Sequence, residues 1–207
     1  MTTEALRKEE NKKPFIIRNA VEEDLPSVMM VNLKSLPENY WYGFFLGILK
    51  AWGRFFFVAE VDGVIVGYAM SRIEWTSDPV LLGLYNELEE GPLAVMDKLK
   101  KFVSRQYRVA HLISIAVLEE YRGRGIGTAL LQHTIQAARE EGDIVSIYLE
   151  VRVSNTPAIR LYKKFGFKPA RIIRGYYRDG EDAYVMVLKI RDPESTKGKS
   201  AFHLGIL

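Results

Sequence analysis

The chain has 207 residues, 48% of them hydrophobic, enough to fill the core of one domain of ordinary size. A net charge of +3 is too weak a bias to argue a specific nucleic-acid partner, and the absence of Cys removes disulfides, thiolate metal sites and any cysteine nucleophile. No apolar run reaches bilayer-spanning length, and Glu4, Arg7, Lys8, Glu9 and Glu10 are unlike a signal peptide, so the expectation is a cytoplasmic protein with no membrane partner.

Residues 1–13 are charged and lack apolar periodicity, which reads as a disordered lead-in to a domain over 14–190. Phe15 to Ala20 reads as a first strand. Glu22, Glu23 and Asp24 load the start of a helix whose apolar stripe is Leu25, Val28, Met29 and Leu33, ending before Pro37. Trp41, Phe44, Phe45, Ile48, Leu49 and Trp52 predict a short aromatic helix packed into the core, with Gly53 as its C-terminal cap. Arg54 to Val61 and Val64 to Ile73 are strands around the hairpin signal Asp62-Gly63.

Residues from about 75 to 108 read as an insertion. Leu81, Leu84, Tyr85 and Leu88, then Val95, Leu99 and Phe102, have helical spacing broken at Gly91-Pro92, predicting two short outer helices. Lys98, Lys100, Lys101, Arg105 and Arg108 fit a solvated helix face better than a contact with ribosomal RNA. His111 to Val117 is a buried strand beginning at the histidine, and Leu130, Leu131, Ile135 and Ala138 mark the helix that follows. Val145 to Val151 is a fifth strand. Asn155 to Phe165 is a helix with Pro157 in its first turn and Gly166 as its stop. Lys168 to Tyr177 and Ala183 to Ile190 form a last hairpin. Residues 191–207 are a tail, loose from Arg191 to Ser200, with an apolar tip of Phe202, Leu204, Ile206 and Leu207.

Between the fourth strand and its helix lies Arg122-Gly-Arg-Gly-Ile-Gly-Thr128. Gly123, Gly125 and Gly127 bare the backbone N–H groups, the helix aims its positive dipole end at the same spot, and Arg122 and Arg124 add cationic forks: a cradle for a pyrophosphate. A Walker loop needs a Lys before Thr128 and has none. A dinucleotide-binding turn wants glycines directly after the strand, but polar residues intervene; Glu150 as the ribose acid is all that keeps that reading open.

The pattern R-x-x-G-x-G from Arg122 to Gly127 resembles the coenzyme A loop of the GCN5-related N-acetyltransferases (GNAT). Leu36-Pro-Glu-Asn-Tyr40 upstream, Leu149-Glu-Val-Arg-Val-Ser-Asn155 with Ala158-Ile-Arg-Leu-Tyr162, and Gly175-Tyr-Tyr-Arg-Asp-Gly-Glu-Asp-Ala-Tyr184 extend the likeness. Together they resemble N-terminal protein acetyltransferases, above all the small archaeal ones of the NatA catalytic-subunit and RimI type. The resemblance implies an α/β fold: a mixed, mostly antiparallel central sheet of about seven strands flanked by helices and splayed at the acetyl-CoA site.

It also implies roles. Ile115, Ala116 and Val117 would hold the pantetheine and face the acetyl carbonyl, and Arg122, Gly123, Arg124, Gly125, Ile126, Gly127 and Thr128 the diphosphate. Asn155 would contact the coenzyme and Tyr162 its sulfur. Glu150 and His111 are the candidates for base or water-ordering group, with a salt bridge from Glu150 to Arg152 or Arg122, and a capped strand-end His, as the plain structural alternatives. That pair could also catch a stray divalent cation, but no third ligand for a catalytic metal is visible. Pro37, Glu38, Tyr40, Glu150, Tyr176 and Tyr177 would line a slot for one N-terminal residue of a protein or peptide.

Without Cys there is no acetyl-enzyme on sulfur, so direct attack by the amine with both substrates bound is the simplest course. The implied activity is an acetyl-CoA-dependent acyltransferase acting on protein N-termini, with ribosome association as an open partner. A GNAT acting on lysine or a small amine, and an idle coenzyme A sensor on the same fold, are the alternatives.

Overall fold

The computed structural model describes residues 14–90 and 105–196, with the backbone alone of residues 199 and 200. In chain order the elements are β1 (Ile16–Asn19), α1 (Leu25–Ser35), α2 (Tyr42–Trp52), β2 (Phe56–Val61), β3 (Val64–Thr76), β4 (Arg105–Val117), α3 (Ile126–Glu140), β5 (Ile144–Arg152), α4 (Thr156–Lys164), β6 (Lys168–Ile173), β7 (Ala183–Lys189) and β8 (Lys199–Ser200). The strand order is β1-β2-β3-β4-β5-β7-β6, with β8 on β4. The β4–β5 pair is parallel, while β1–β2, β2–β3, β5–β7 and β6–β7 are antiparallel. This is the mixed, mostly antiparallel α/β sheet that the resemblance implied.

The described residues fall into two compact units. One comprises 14–71 with Ser114–Ala137, the other Arg72–Ile113 with the residues from Ala138 onward. β3 and β4 thread through both. In the first unit Asp62 and Gly63 adopt φ of 50° and 78°, the left-handed pair a two-residue hairpin requires. Leu25, Val28 and Val31 of α1 and Phe45 and Ile48 of α2 are buried, whereas Leu33, expected in the stripe of α1, is exposed and Met29 is only partly covered. Arg18 ties β1 to the start of α1 through Asp24 at 2.6 Å, and Glu60 joins the same cation at 2.9 Å.

One expectation about α2 does not hold: Trp41 is 73% exposed rather than core, because it stands before the first helical turn and lays its ring over Gly43, where a Cβ would meet it at 1.8 Å. Gly53 is the C-cap of α2 as expected, though with φ −54° it opens a 3-10 turn instead of turning left-handed.

In the second unit β4 begins at Arg105, so His111 lies inside a long strand rather than at its start. The β4–β5 ladder runs from Arg108↔Ile144 to His111↔Tyr148, after which β5 continues in register with β7 as far as Arg152↔Ala183. β3 extends to Thr76, so the first and last residues assigned to the insertion are strand. Its described part holds turns and one helical turn, Glu87–Glu90. Val80, Leu82 and Tyr85 are buried in it, packed with Tyr107, Val109, Val145 and Val187. Arg171 of β6 clamps it through Asp78 at 2.7 Å and Glu87 at 2.7 Å. The predicted second helix, with Lys98, Lys100 and Lys101, lies outside the described residues, as do the lead-in 1–13 and the apolar tip.

The tail is not loose where it is described: Pro193 is buried in a 3-10 turn, and Lys199 and Ser200 pair with Gln106 and Arg105. Polar composition suggested disorder, but an unpaired strand edge accepts backbone whatever its side chains. Among the described residues no helix is long and apolar enough to cross a membrane.

Candidate active site

In the second unit, strand alternation puts Arg72 and Glu74 of β3 on one face and gives Tyr148 and Glu150 of β5 a common face. His111 of β4 is registered with Tyr148 and stacks on its ring, centroids 4.3 Å apart and planes 11° from parallel. Its Nε2 lies 2.7 Å from Glu150 Oε2 and its Nδ1 3.3 Å from Glu74 Oε1. The Tyr148 hydroxyl donates to Glu74 Oε2 at 2.6 Å, and the Arg72 guanidinium pairs with Glu74 Oε1.

Charge follows from this packing. The hydrogen bond from His111 outweighs desolvation and, with Tyr148 and Arg72 also donating, holds the Glu74 carboxyl down at about 2. Burial opposes a charge on His111, but its hydrogen bonds to Glu150 and Glu74 prevail and hold the ring above the ordinary imidazole range. Burial, then the hydrogen bond to Glu74, pushes the Tyr148 phenol up, so it stays a donor. Glu150 is left with one oxygen bound to His111 and with Oε1 carrying no hydrogen bond among the described residues.

Arg152 is not the partner of Glu150. It donates to Asp179 at 2.6 Å and Glu181 at 2.8 Å, and its guanidinium lies 4.0 Å from the Tyr177 ring centroid. Glu181 also accepts from the Ser154 N–H at 2.9 Å, so the β6–β7 turn is tied to the end of β5. Tyr176, about half exposed, stands edge-on to Tyr177 at 5.0 Å. Tyr162 of α4 is 6% exposed, its ring is 5.8 Å from that of Phe167, and burial pushes its phenol up. Its hydroxyl has no hydrogen-bond partner among the described residues, unlike that of an ordinary core tyrosine. Asn155 caps α4 by accepting from the Ala158 N–H at 3.2 Å.

The first unit holds the glycine loop. Gly123 and Gly125 have φ of 75° and 85°, left-handed positions that side chains resist, and a Cβ on either would meet nothing within 4 Å. The bared backbone therefore faces open space. Arg122 Nε donates to the Val117 carbonyl at 3.0 Å, tying the loop to the strand end, and Arg124 lies 5.3 Å from the Tyr121 ring centroid. The first bond of α3 runs from the Ala129 N–H to the Gly125 carbonyl at 2.9 Å, which leaves the N–H groups of Ile126, Gly127 and Thr128 without intrahelical partners. Unpaired amides at a helix start with cations beside them fit a diphosphate. Behind the loop, a Cβ on Gly67 of β3 would come within 2.9 Å of the Ala116 carbonyl, so glycine permits the approach of β3 to the end of β4.

The turn bearing Pro37, Glu38 and Tyr40 is held by a buried amide. Asn32, 1% exposed, donates to the Glu38 carbonyl at 3.1 Å and to the Tyr68 hydroxyl at 2.9 Å, and accepts from the Tyr40 N–H at 3.4 Å. The Tyr68 hydroxyl shares a 2.7 Å bond with Ser114 Oγ, next to Ile115. Tyr40 stacks on Phe44 at 4.6 Å.

The sequence model of the Acetyltransferase (GNAT) family matches residues 17–167. The chain belongs to the GNAT acetyltransferase family. An N-alpha-acetyltransferase of Sulfurisphaera tokodaii is 48% identical over 174 residues, covering 84% of this GNAT chain and 92% of that one. The crystal structure of Ard1 from Thermoplasma volcanium superposes with a TM-score of 0.66 at 27% identity, covering 86% of this chain and 99% of that one. Naa50 of Arabidopsis thaliana, solved with the bisubstrate analogue CoA-Ac-MVNAL, gives a TM-score of 0.64 at 25% identity, covering 84% and 97%.

Sequence reasoning about this GNAT chain missed Glu74, Asn32, Tyr68 and Ser114. Glu74 was legible in principle: Arg72-Ile-Glu74 continues the alternation of β3, and extending that strand by one period would have placed a carboxylate on the His111 side. Asn32 offered no such signal, since a helix Asn is ordinarily a solvated one. Among the described residues no group of three His, Asp or Glu side chains could hold a metal. Arg108 is paired with Asp143 at 2.8 Å and Glu141 at 3.1 Å, so its charge is spent within the unit.

Proposed function

We infer that this GNAT chain is an N-alpha-acetyltransferase, moving acetyl from acetyl-CoA to the free α-amino group of protein N-termini by direct attack. The observation that carries the reading is Glu150: one oxygen anchored to His111, the other without a hydrogen bond among the described residues, in a chain without a cysteine. An anchored carboxylate is a modest base, and a modest base suits an α-amine. At pH 7 an α-amino group costs about 1 kcal/mol to deprotonate and a lysine about 5 kcal/mol. The name of the Sulfurisphaera tokodaii relative supports the same substrate class.

In this mechanism the glycine loop, Arg122, Arg124 and the start of α3 grip the coenzyme diphosphate, the backbone of Ile115, Ala116 and Val117 holds the pantetheine arm, and Asn155 flanks it. Pro37, Glu38, Tyr40, Tyr176 and Tyr177 line the place of the first residue. Glu150 Oε1 takes the amine proton, directly or through one water, as the nitrogen–carbon bond forms. The carbon–sulfur bond then breaks, the Tyr162 hydroxyl supplies the proton that leaves coenzyme A as a thiol, and Tyr162 regains a proton from water as Glu150 releases the one taken from the amine. Cytoplasmic protein synthesis supplies the substrates on this reading.

The test is a peptide library differing in the first residue, incubated with acetyl-CoA and read by mass spectrometry. Peptides with free N-termini gain one acetyl group, and the same peptides blocked at the α-amine but carrying lysine gain none. Labelling of the blocked set at a comparable rate would overturn the assignment.

A further inference from the structure

His111 presents a puzzle of proton count. Each ring nitrogen faces a carboxylate oxygen, Glu150 Oε2 at 2.7 Å and Glu74 Oε1 at 3.3 Å. An ionised carboxylate only accepts, so a neutral imidazole satisfies one of the two and turns a lone pair on the other. A proton on Glu74 instead is disfavoured, because its oxygens already take the Tyr148 hydroxyl at 2.6 Å and the Arg72 guanidinium. A proton on Glu150 would remove its capacity as a base. The ring carrying both protons satisfies every partner at once.

We infer that Glu74 is a positioning residue: it holds His111 as an imidazolium, which clamps Glu150 and leaves the Glu150 carboxylate as the proton acceptor. The inference rests on the N-alpha-acetyltransferase reading for the meaning of Glu150, though not for the state of the ring. Among the described residues the groups facing the ring are Glu74 and its partner Arg72 from β3, and Glu150 and Tyr148 from β5. The two carboxylates outweigh the one cation. Stacking on Tyr148 at 4.3 Å fixes the ring plane so that both nitrogens stay in line with their acceptors. Two anions thus flank a cation, and the anion with an oxygen unbonded among the described residues does the chemistry. Conversely, a base role for His111 would need a lone pair that this arrangement does not leave it.

The experiment has two arms on the full-length protein. In the first, nitrogen-15 NMR of labelled histidine follows the imidazole signal that disappears in His111→Asn. Both nitrogens should carry protons at pH 7.5, and in Glu74→Gln the titration of the same signal should move down by about one pH unit, roughly tenfold in the protonated fraction. In the second, kcat at saturating peptide is measured against pH. The basic limb in Glu74→Gln should move to lower pH by the same amount, while Glu74→Asp, which keeps the charge, restores it. A neutral His111 ring in the wild-type protein at pH 7.5 overturns the inference even if Glu74→Gln fails to fold. So does a Glu74→Gln profile whose acid limb moves down instead, the signature of His111 as base. A uniform loss at every pH reduces Glu74 to a structural group and overturns it as well. If wild-type protein acetylates no peptide while its His111 is doubly protonated, the functional reading fails and the charge state stands.

Discussion

The Tyr162 hydroxyl bonds nothing among the described residues and is not one of their fully buried unpartnered atoms, so it is open to a group from outside the chain. Its ring is in the core beside Phe167, and its phenol is held protonated by burial. Replacing it with Phe removes a hydroxyl that bonds nothing among the described residues, so the folded state loses no hydrogen bond. Tyr162→Phe should therefore keep the wild-type Tm while kcat falls about tenfold. That is less than the hundredfold common for a positioned acid, because a thiolate is already a weak base. A fall in Tm matching the fall in kcat, measured by thermal scans and steady-state rates on one preparation, would reassign the residue to the core. Glu150 and Glu74 make the complementary point: two carboxylates on one imidazole acquire separate roles because one spends both oxygens on donors and the other keeps one free.

At the scale of elements, the turns that the proposed function assigns to the peptide are each tied down by a named side chain. The β6–β7 turn hangs on Arg152, which bonds Asp179 and Glu181 and lies against Tyr177. One guanidinium nitrogen shared by two carboxylates, with the Tyr177 ring against the guanidinium, fixes the turn, and Lys lacks the planar group that stacks on the ring. Arg152→Ala should raise the peptide KM by about tenfold and leave the acetyl-CoA KM within about twofold, an order of magnitude equivalent to roughly 1.4 kcal/mol of lost ordering. Equal changes for both substrates, in initial-rate measurements with each varied in turn, would remove the turn from the peptide site. The turn at Glu38 and Tyr40 is governed by Asn32, whose amide uses both its donor and its acceptor ends. A buried polar group so fully used is a positional device, since an apolar replacement removes at once its bonds to the Glu38 carbonyl, the Tyr40 N–H and the Tyr68 hydroxyl, of which Tyr68 keeps Ser114.

For the molecule as a whole, the shifted groups set the pH window of stability. Glu74 is held at about 2 against 4.5 unperturbed, and Asp24 is lowered chiefly by its hydrogen bond from Arg18. A depressed folded-state carboxyl contributes fully above its unfolded value, and the contribution is lost as pH falls through the folded value. His111 is raised, so its contribution is complete below about 6.5 and fades as pH climbs through its folded value. Denaturation midpoints should therefore be flat between about pH 5 and 6.5, drop steadily from about 4.5 towards 2, and decline gently on the alkaline side. In Glu74→Gln the lowest part of the acid limb should flatten. A midpoint that is independent of pH below 4.5 would contradict the paired carboxylates.

What the chain alone determined about this protein is local and periodic. R-x-x-G-x-G between a β-branched run and a helical stripe is readable because left-handed glycines and helix starts are decided by neighbours in sequence, and Gly123 and Gly125 do take positive φ. The Asp62-Gly63 hairpin, Pro157 in the first turn of α4 and Gly166 after it were legible for the same reason. What only the tertiary structure decided is which side chains meet across strands. Glu74, His111 and Glu150 are separated by 37 and 39 positions and meet only because β3, β4 and β5 lie side by side. Nor does any local rule say that Arg152 turns to Asp179 and Glu181 instead of Glu150, or that a strand edge captures Lys199 and Ser200. Register between strands is a long-range quantity, set by the packing of both faces at once, and charge state follows register.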